Sequence, residues 1–209
     1  MCIRDSPLII VGVIVLLIGV YAVGIYNRLV KLREVAKGSF SQIDVQLERR
    51  HDLIPNLVET ARGFMAHEAG TLEAVIAARA SATQTRIEVN GDPSNIDAMQ
   101  KLGASESNLG GALGRLLATA EAYPEIKADR QMTQLTEELR STENKISFAR
   151  QNFNTQVLRY QEYKQTFPPV IFASLFGFED DAYLDLETEG NEDKREAVEV
   201  NFDGPQAAA

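Results

Sequence analysis

An all-α fold, in which an N-terminal transmembrane helix continues into an antiparallel up-and-down bundle of about four long helices, is predicted by three observations. The 209-residue chain holds 14 Gly, 7 Pro and no Trp and abounds in Ala, Leu, Glu, Gln and Arg, which is helix-forming chemistry. Residues 8–26 form one uncharged apolar run. Beyond it, apolar residues recur at alternating steps of three and four, the period of a bundle seam. The length suits one domain with appendages, and the single Cys2 excludes an internal disulfide and any cysteine-based zinc fold.

The net charge of −9 is unevenly placed. Residues 179–209 carry eleven acidic groups against Lys194 and Arg195, and residues 1–178 are neutral, with 19 of each sign. The acidity therefore belongs to a tail, expected to be disordered, and the body has no basic stripe for phosphates. Nucleic acid is not an expected partner.

Met1–Ser6 resembles translated adaptor sequence, so residues 1–7 are read as a short segment outside the fold. The apolar run that follows, from Leu8 to Tyr26, reaches roughly the 30 Å of a bilayer core at about 1.5 Å per residue. A cleavable signal peptide is the competing reading, since Ala22-Val23-Gly24 has a small-x-small form. The run is longer than the usual apolar core of such peptides, and Ile25–Arg28 reads straight on into helix. Arg28, Lys31, Arg33 and Lys37 follow the span against Arg4 before it, which places the C-terminal body in the cytoplasm.

The helical body, residues 27–178, opens on a seam through Leu29, Leu32, Ala36, Phe40, Ile43, Leu47, Ile54, Leu57, Ala61 and Met65. Its phase survives Pro55, so one long helix bent there is expected rather than two. A second helix, from His67 to about Ile87, presents Leu72, Val75, Ile76 and Ala80, and Asn90-Gly91-Asp92-Pro93 stops it. Ser94 is the expected cap of a third helix, with Ile96, Met99, Leu102, Leu109, Leu113, Leu116 and Ala120 on its face and Gly110, Gly111 and Gly114 allowing close packing. Tyr123-Pro124 ends it. The last long helix, from about Asp129 to Thr166, carries Leu135, Leu139, Ile146, Ala149, Phe153 and Val157. After Phe167-Pro168-Pro169, the apolar residues 170–178 are too few to span a bilayer. They either fold back over one end of the bundle or offer Phe172, Phe176 and Phe178 as anchors for a partner or a membrane.

Chemistry is sparse. His67-Glu68 lacks the second histidine that a zinc-protease helix needs four residues on, where Thr71 stands, and His51 lies sixteen residues upstream. No glycine-rich phosphate loop or strained nucleophile turn is present, so no catalytic residue, cofactor or metal is expected. One cluster stands out, with Arg49, Arg50, Asp52, Asn56 and Glu59 around Pro55. Arg50 falls on the seam between Leu47 and Ile54, Glu106 between Leu102 and Leu109, and Glu143 between Leu139 and Ile146. A buried arginine must be paired, so Arg50 is expected to meet Glu106 or Glu143 in a polar layer that fixes helix register. The alternative is that Arg50 snorkels to the surface.

The strings Tyr26–Val30, Ser41–Thr60, Thr142–Ile146, Ala149–Asn154, Phe167-Pro168 and Phe176–Phe178 resemble the bacterial LemA family, in family order over about residues 21–186. Gln161 and Leu184-Asp185 depart from it, outside the main motif. The resemblance implies a single-pass inner-membrane protein with a short extracellular N-terminus and a cytoplasmic helical bundle. It carries over no catalytic residue, and it points to a protease or quality-control partner by association only. The expected function is that of a membrane-anchored interaction or scaffold protein, contacting the bilayer through residues 8–26 and another membrane protein through the body, with self-association left open. The competing readings are an enzyme using Arg50, Asp52 and Glu59, and a lipid-surface module built on residues 167–178.

Overall fold

The structure, a computed structural model, describes residues 6–65, 67–178 and 184. The expected N-terminal segment, apart from Ser6 and Pro7, and the expected acidic tail, apart from Leu184, lie outside the described residues.

Among the described residues six helices follow in order: α1 (Ser6–Arg62), α2 (Ala69–Gly91), α3 (Ile96–Ala120), α4 (Pro124–Ala128), α5 (Arg130–Gln165) and α6 (Pro169–Leu175). The four long ones, α1, α2, α3 and α5, form an up-and-down bundle, because the short turns between them force consecutive helices to run antiparallel. α1 packs most extensively along α5, α2 along α3, and α1 also meets α2. α1 is continuous through Pro55, and every seam residue from Leu29 to Met65 is buried except the half-buried Leu32. From Ile10 to Gly24 the same helix is exposed on all sides but for Ala22, and it is long and apolar enough there to cross a membrane.

The ends of the helices follow local chemistry. Asn95, rather than Ser94, caps α3 by accepting from the Ala98 amide at 3.0 Å, while Asp92 accepts from the Ser94 amide at 3.1 Å. Asp129 caps α5 through the Met132 amide at 2.7 Å. Pro124 does more than end α3. It opens the short α4, whose first turn needs no proline amide, and Ile126 from that turn is buried at the distal end of the bundle.

Three further expectations are corrected. Ile96, in the first turn of α3, is exposed, and so are Ile76 and Ala80 of α2, which buries the expected Leu72 and Val75 together with Ala82 and Val89. An alanine-rich helix has a weak apolar stripe, so its phase is set by what it meets on α1 and α3. Gly110, Gly111 and Gly114 face outward, and a Cβ at any of them would meet nothing within 4 Å, so they do not serve close packing. Leu184, assigned to the tail, is fully buried against the cluster of Ala36, Phe40 and Val157. Asn154 holds it there by donating through Nδ2 to the Leu184 carbonyl and accepting from its amide, each at 3.1 Å.

Candidate functional site

The described residues form three apolar clusters, of which the two larger fill the bundle. One cluster, built on Ile54, Leu57, Leu109, Leu116 and Leu139, fills the end of the bundle far from the apolar run. Another, built on Phe40, Ile43, Leu47, Leu102, Ile146 and Phe153, fills the nearer half. Between them lies a polar layer to which all four long helices contribute.

Arg50, from α1, is at its centre. Its Nη1 donates to Glu143 Oε2 of α5 at 2.7 Å, and its Nη2 donates to Glu106 Oε2 of α3. Side-chain exposure separates the two partners, at 3% for Arg50 and 1% for Glu106 against 57% for Glu143. The strongly desolvated pair is therefore Arg50–Glu106, with Glu143 closing the layer at the rim. The two residues expected opposite Arg50 both meet it.

Three members of the layer, His51, Thr83 and Arg79, do not follow from seam spacing. His51 is buried, with Nε2 2.9 Å from Glu106 Oε1 and Nδ1 3.3 Å from Thr83 Oγ1 of α2. Glu106 is an acceptor already held by a guanidinium, so His51 Nε2 is the donor to it. Arg79, also of α2, donates through Nε to the His51 carbonyl at 2.6 Å. In an unbroken helix that carbonyl would accept the amide of residue 55, and Pro55 has no amide to give. Arg79 thus supplies from a neighbouring helix the hydrogen bond that Pro55 removes. The only signal for Arg79 in the sequence was the proline itself. Closer to the apolar run, Arg86 donates to Asp44 at 2.8 Å and Thr85 shares a hydrogen bond with Ser105 at 2.6 Å, extending the polar contacts of α2.

The rest of the motif cluster points the other way. Arg49, Asp52, Pro55, Asn56 and Glu59 are all exposed. With Gln42 and Val45, the residues Arg49, Asp52, Asn56 and Glu59 recur at steps of three and four along the outer side of α1. At the Val45 end this stripe enters a groove lined by Ser41, Gln42, Gln46, Lys145 and the exposed Phe148. Phe148 falls outside the α5 seam, which could have marked it. Arg50 is turned inward and spent on carboxylates while Asp52 and Glu59 face outward, so the three residues of the enzyme reading do not converge. Among the described residues no group of three or more His, Cys, Asp or Glu is placed to hold a metal.

The apolar residues 170–178 divide likewise. Phe172 and Phe178 pack on Ile25, Leu29, Tyr160 and Ala173, and Phe176 is half exposed, edge-on to Tyr26. His67 lies in the turn between α1 and α2, and the neighbouring Glu68 accepts from the Tyr123 hydroxyl at 3.3 Å. Burial and the Glu68 carboxylate together push the Tyr123 phenol above its ordinary value.

A model of the LemA family matches residues 39–202, which takes in the polar layer, the outer stripe and Leu184. The chain belongs to the LemA family. It is also similar to the magnetosome protein MamQ of Magnetospirillum gryphiswaldense, at 25% identity over 172 residues, covering 73% of this chain and 62% of the relative. The chain thus spans less than two thirds of that relative's length. The LemA match begins at Ser39, so the apolar first part of α1 lies before the matched range and every residue of the polar layer lies within it.

Proposed function

We propose that this LemA-family chain is a single-pass protein of the bacterial inner membrane whose helical body stands in the cytoplasm and acts as an interaction or scaffold module, without catalysis of its own. The observation that supports this best is α1. One uninterrupted helix supplies an exposed apolar run, the seam of the bundle and, on its outer side, the stripe from Gln42 to Glu59. A partner gripping that stripe is coupled to the bilayer by a single rigid element. The basic residues Arg28, Lys31, Arg33 and Lys37 after the run favour the cytoplasmic orientation. The partner in this reading is another membrane protein, of which a protease or quality-control machine is the first to try.

A photo-crosslinking residue at Asp52 or Glu59, in cells that also carry a topology reporter after residue 205, tests both parts. A cytoplasmic reporter is expected, with a discrete adduct to a membrane protein from positions 52 and 59 and none from the exposed Ser141 of α5. A periplasmic reporter would overturn the orientation. Adducts no stronger at 52 and 59 than at 141 would overturn the use of the stripe.

A further inference from the structure

α6 and the Phe167 before it present two different sides. Pro169 and Ala173 are buried, and Phe172 packs against Ile25, Leu29 and Tyr160. Val170, Ile171 and Leu175 of α6 are exposed, at 43%, 55% and 73%, as is Phe167 in the turn before it, at 78%. Ile171 and Leu175 lie one turn apart in α6 with Val170 beside them, Phe167 adds a fourth exposed apolar side chain from the turn before the helix, and large apolar side chains this exposed mark a contact surface.

Its place in the fold says what covers it. Tyr26, the last residue of the uncharged run, meets Phe176 and Phe178 edge-on, with ring centroids 5.3 and 5.6 Å away. α6 is therefore held beside α1 at the level where the apolar run gives way to the bundle. Cations stand at the same level. The Arg28 guanidinium lies 4.7 Å over the Tyr163 ring and Lys164 5.9 Å over the Tyr160 ring, with the exposed Lys31 nearby in sequence. An apolar strip next to basic and aromatic side chains, directly under a bilayer-length apolar helix, has the layout of an element lying in a lipid interface.

We infer that Phe167, Val170, Ile171 and Leu175 lie in the boundary between headgroups and acyl chains of the bilayer crossed by residues 8–26, giving the bundle a second contact with lipid. This rests on the membrane anchoring proposed above. The two contacts together fix the tilt of α1. Asn56, thirty residues beyond Tyr26, is then held about 45 Å along the helix from the interface, at a set height for its partner.

The chain has no Trp, so single tryptophans report cleanly. Full-length Val15→Trp, Phe167→Trp, Leu175→Trp and Phe148→Trp chains are reconstituted in phosphatidylcholine–phosphatidylglycerol vesicles whose acyl chains are brominated at shallow or deep positions. Matching circular dichroism spectra check that each variant folds. Phe167→Trp and Leu175→Trp are expected to lose emission mainly to shallow bromines, Val15→Trp to deep ones, and Phe148→Trp to neither. Quenching of Val15→Trp alone would overturn the interfacial contact and leave the anchor standing. Quenching at 167 and 175 without quenching at 15 would uphold the contact and overturn the anchor, and quenching at none of the positions would overturn both. Quenching of Phe148→Trp equal to that at 167 and 175, or protection of 167 and 175 from both bromine and aqueous iodide, as a second copy of the chain would give, would also overturn the contact.

Discussion

Arg49 and Arg50 are neighbours in sequence and opposites in the structure. Arg50 is buried among Glu106, Glu143 and His51, and Arg49 stands in solvent with Asp52, Asn56 and Glu59 on the far side of the same helix. The two sides of α1 around Pro55 use the same residue types under different physics. Inside, each charge needs a partner because desolvation is costly and leaving one unpaired is worse. Outside, water and salt screen the charges, and what they touch adds little to stability. A motif that reads as one string is therefore two devices, one organising the bundle and one available to a partner.

The largest effect expected from breaking this contrast is at Arg50. Arg50→Ala leaves Glu106 buried, with only His51 against its carboxylate, and should cost about 3–5 kcal/mol. Thermal unfolding of the detergent-solubilised chain, followed by circular dichroism, would show this as a large fall in Tm. Arg49→Ala, one residue away, should stay within about 0.5 kcal/mol. Equal effects at the two positions would erase the distinction between the sides.

A smaller effect tests the repair at Pro55. Arg79→Ala strips the His51 carbonyl of its donor and should cost about 1–3 kcal/mol. Pro55→Ala returns an amide to the helix, which can satisfy that carbonyl from within α1. Arg79→Ala should therefore cost less in a Pro55→Ala background than in the wild type. A double-mutant cycle by denaturant unfolding measures the difference, and strict additivity would mean that Arg79 acts through something other than the freed carbonyl.

How far each device could be read from the sequence follows from the range of the forces involved. The seam from Leu29 to Met65 was legible because burial against neighbouring helices imprints a period on the chain itself. Arg50, Glu106 and Glu143 were legible as polar residues at apolar positions, and a buried charge demands a partner. His51 sits one step off the seam, where periodicity does not tell a residue wedged between two neighbouring helices from one in water. Arg79 answers a need created on another helix, and nothing within α2 announces it. Ile76 and Ala80 are apolar yet exposed because the phase of α2 is set by its neighbours rather than by hydrophobic type, and Ile96 is exposed in the first turn of α3. Leu184 was lost to the acidic residues around it, whose composition hid a buried side chain clamped by Asn154. The polar side chain that makes this anchor lies thirty residues upstream.

The smallest effect concerns an exposed charge with a single well-placed donor. The Asp92 carboxyl is held below its ordinary value of 3.8, chiefly by the Ser94 amide, with Lys37 3.6 Å away adding to the effect and partial burial opposing it. A carboxyl depressed in the folded state contributes stability above its unfolded value, and that stability is lost as the pH falls through the folded one. The window therefore lies on the acid side, below 3.8. Because Asp92 is largely exposed, the contribution should be under about 1 kcal/mol. Asp92→Asn keeps an acceptor for the Ser94 amide and removes only the charge. Its Tm should fall slightly below wild type at neutral pH and meet it at strongly acid pH, where both side chains are neutral. A gap that persisted into acid would place the effect of Asp92 in the turn geometry, and a gap as large as that of Arg50→Ala would break the rule that separates the two sides of the molecule.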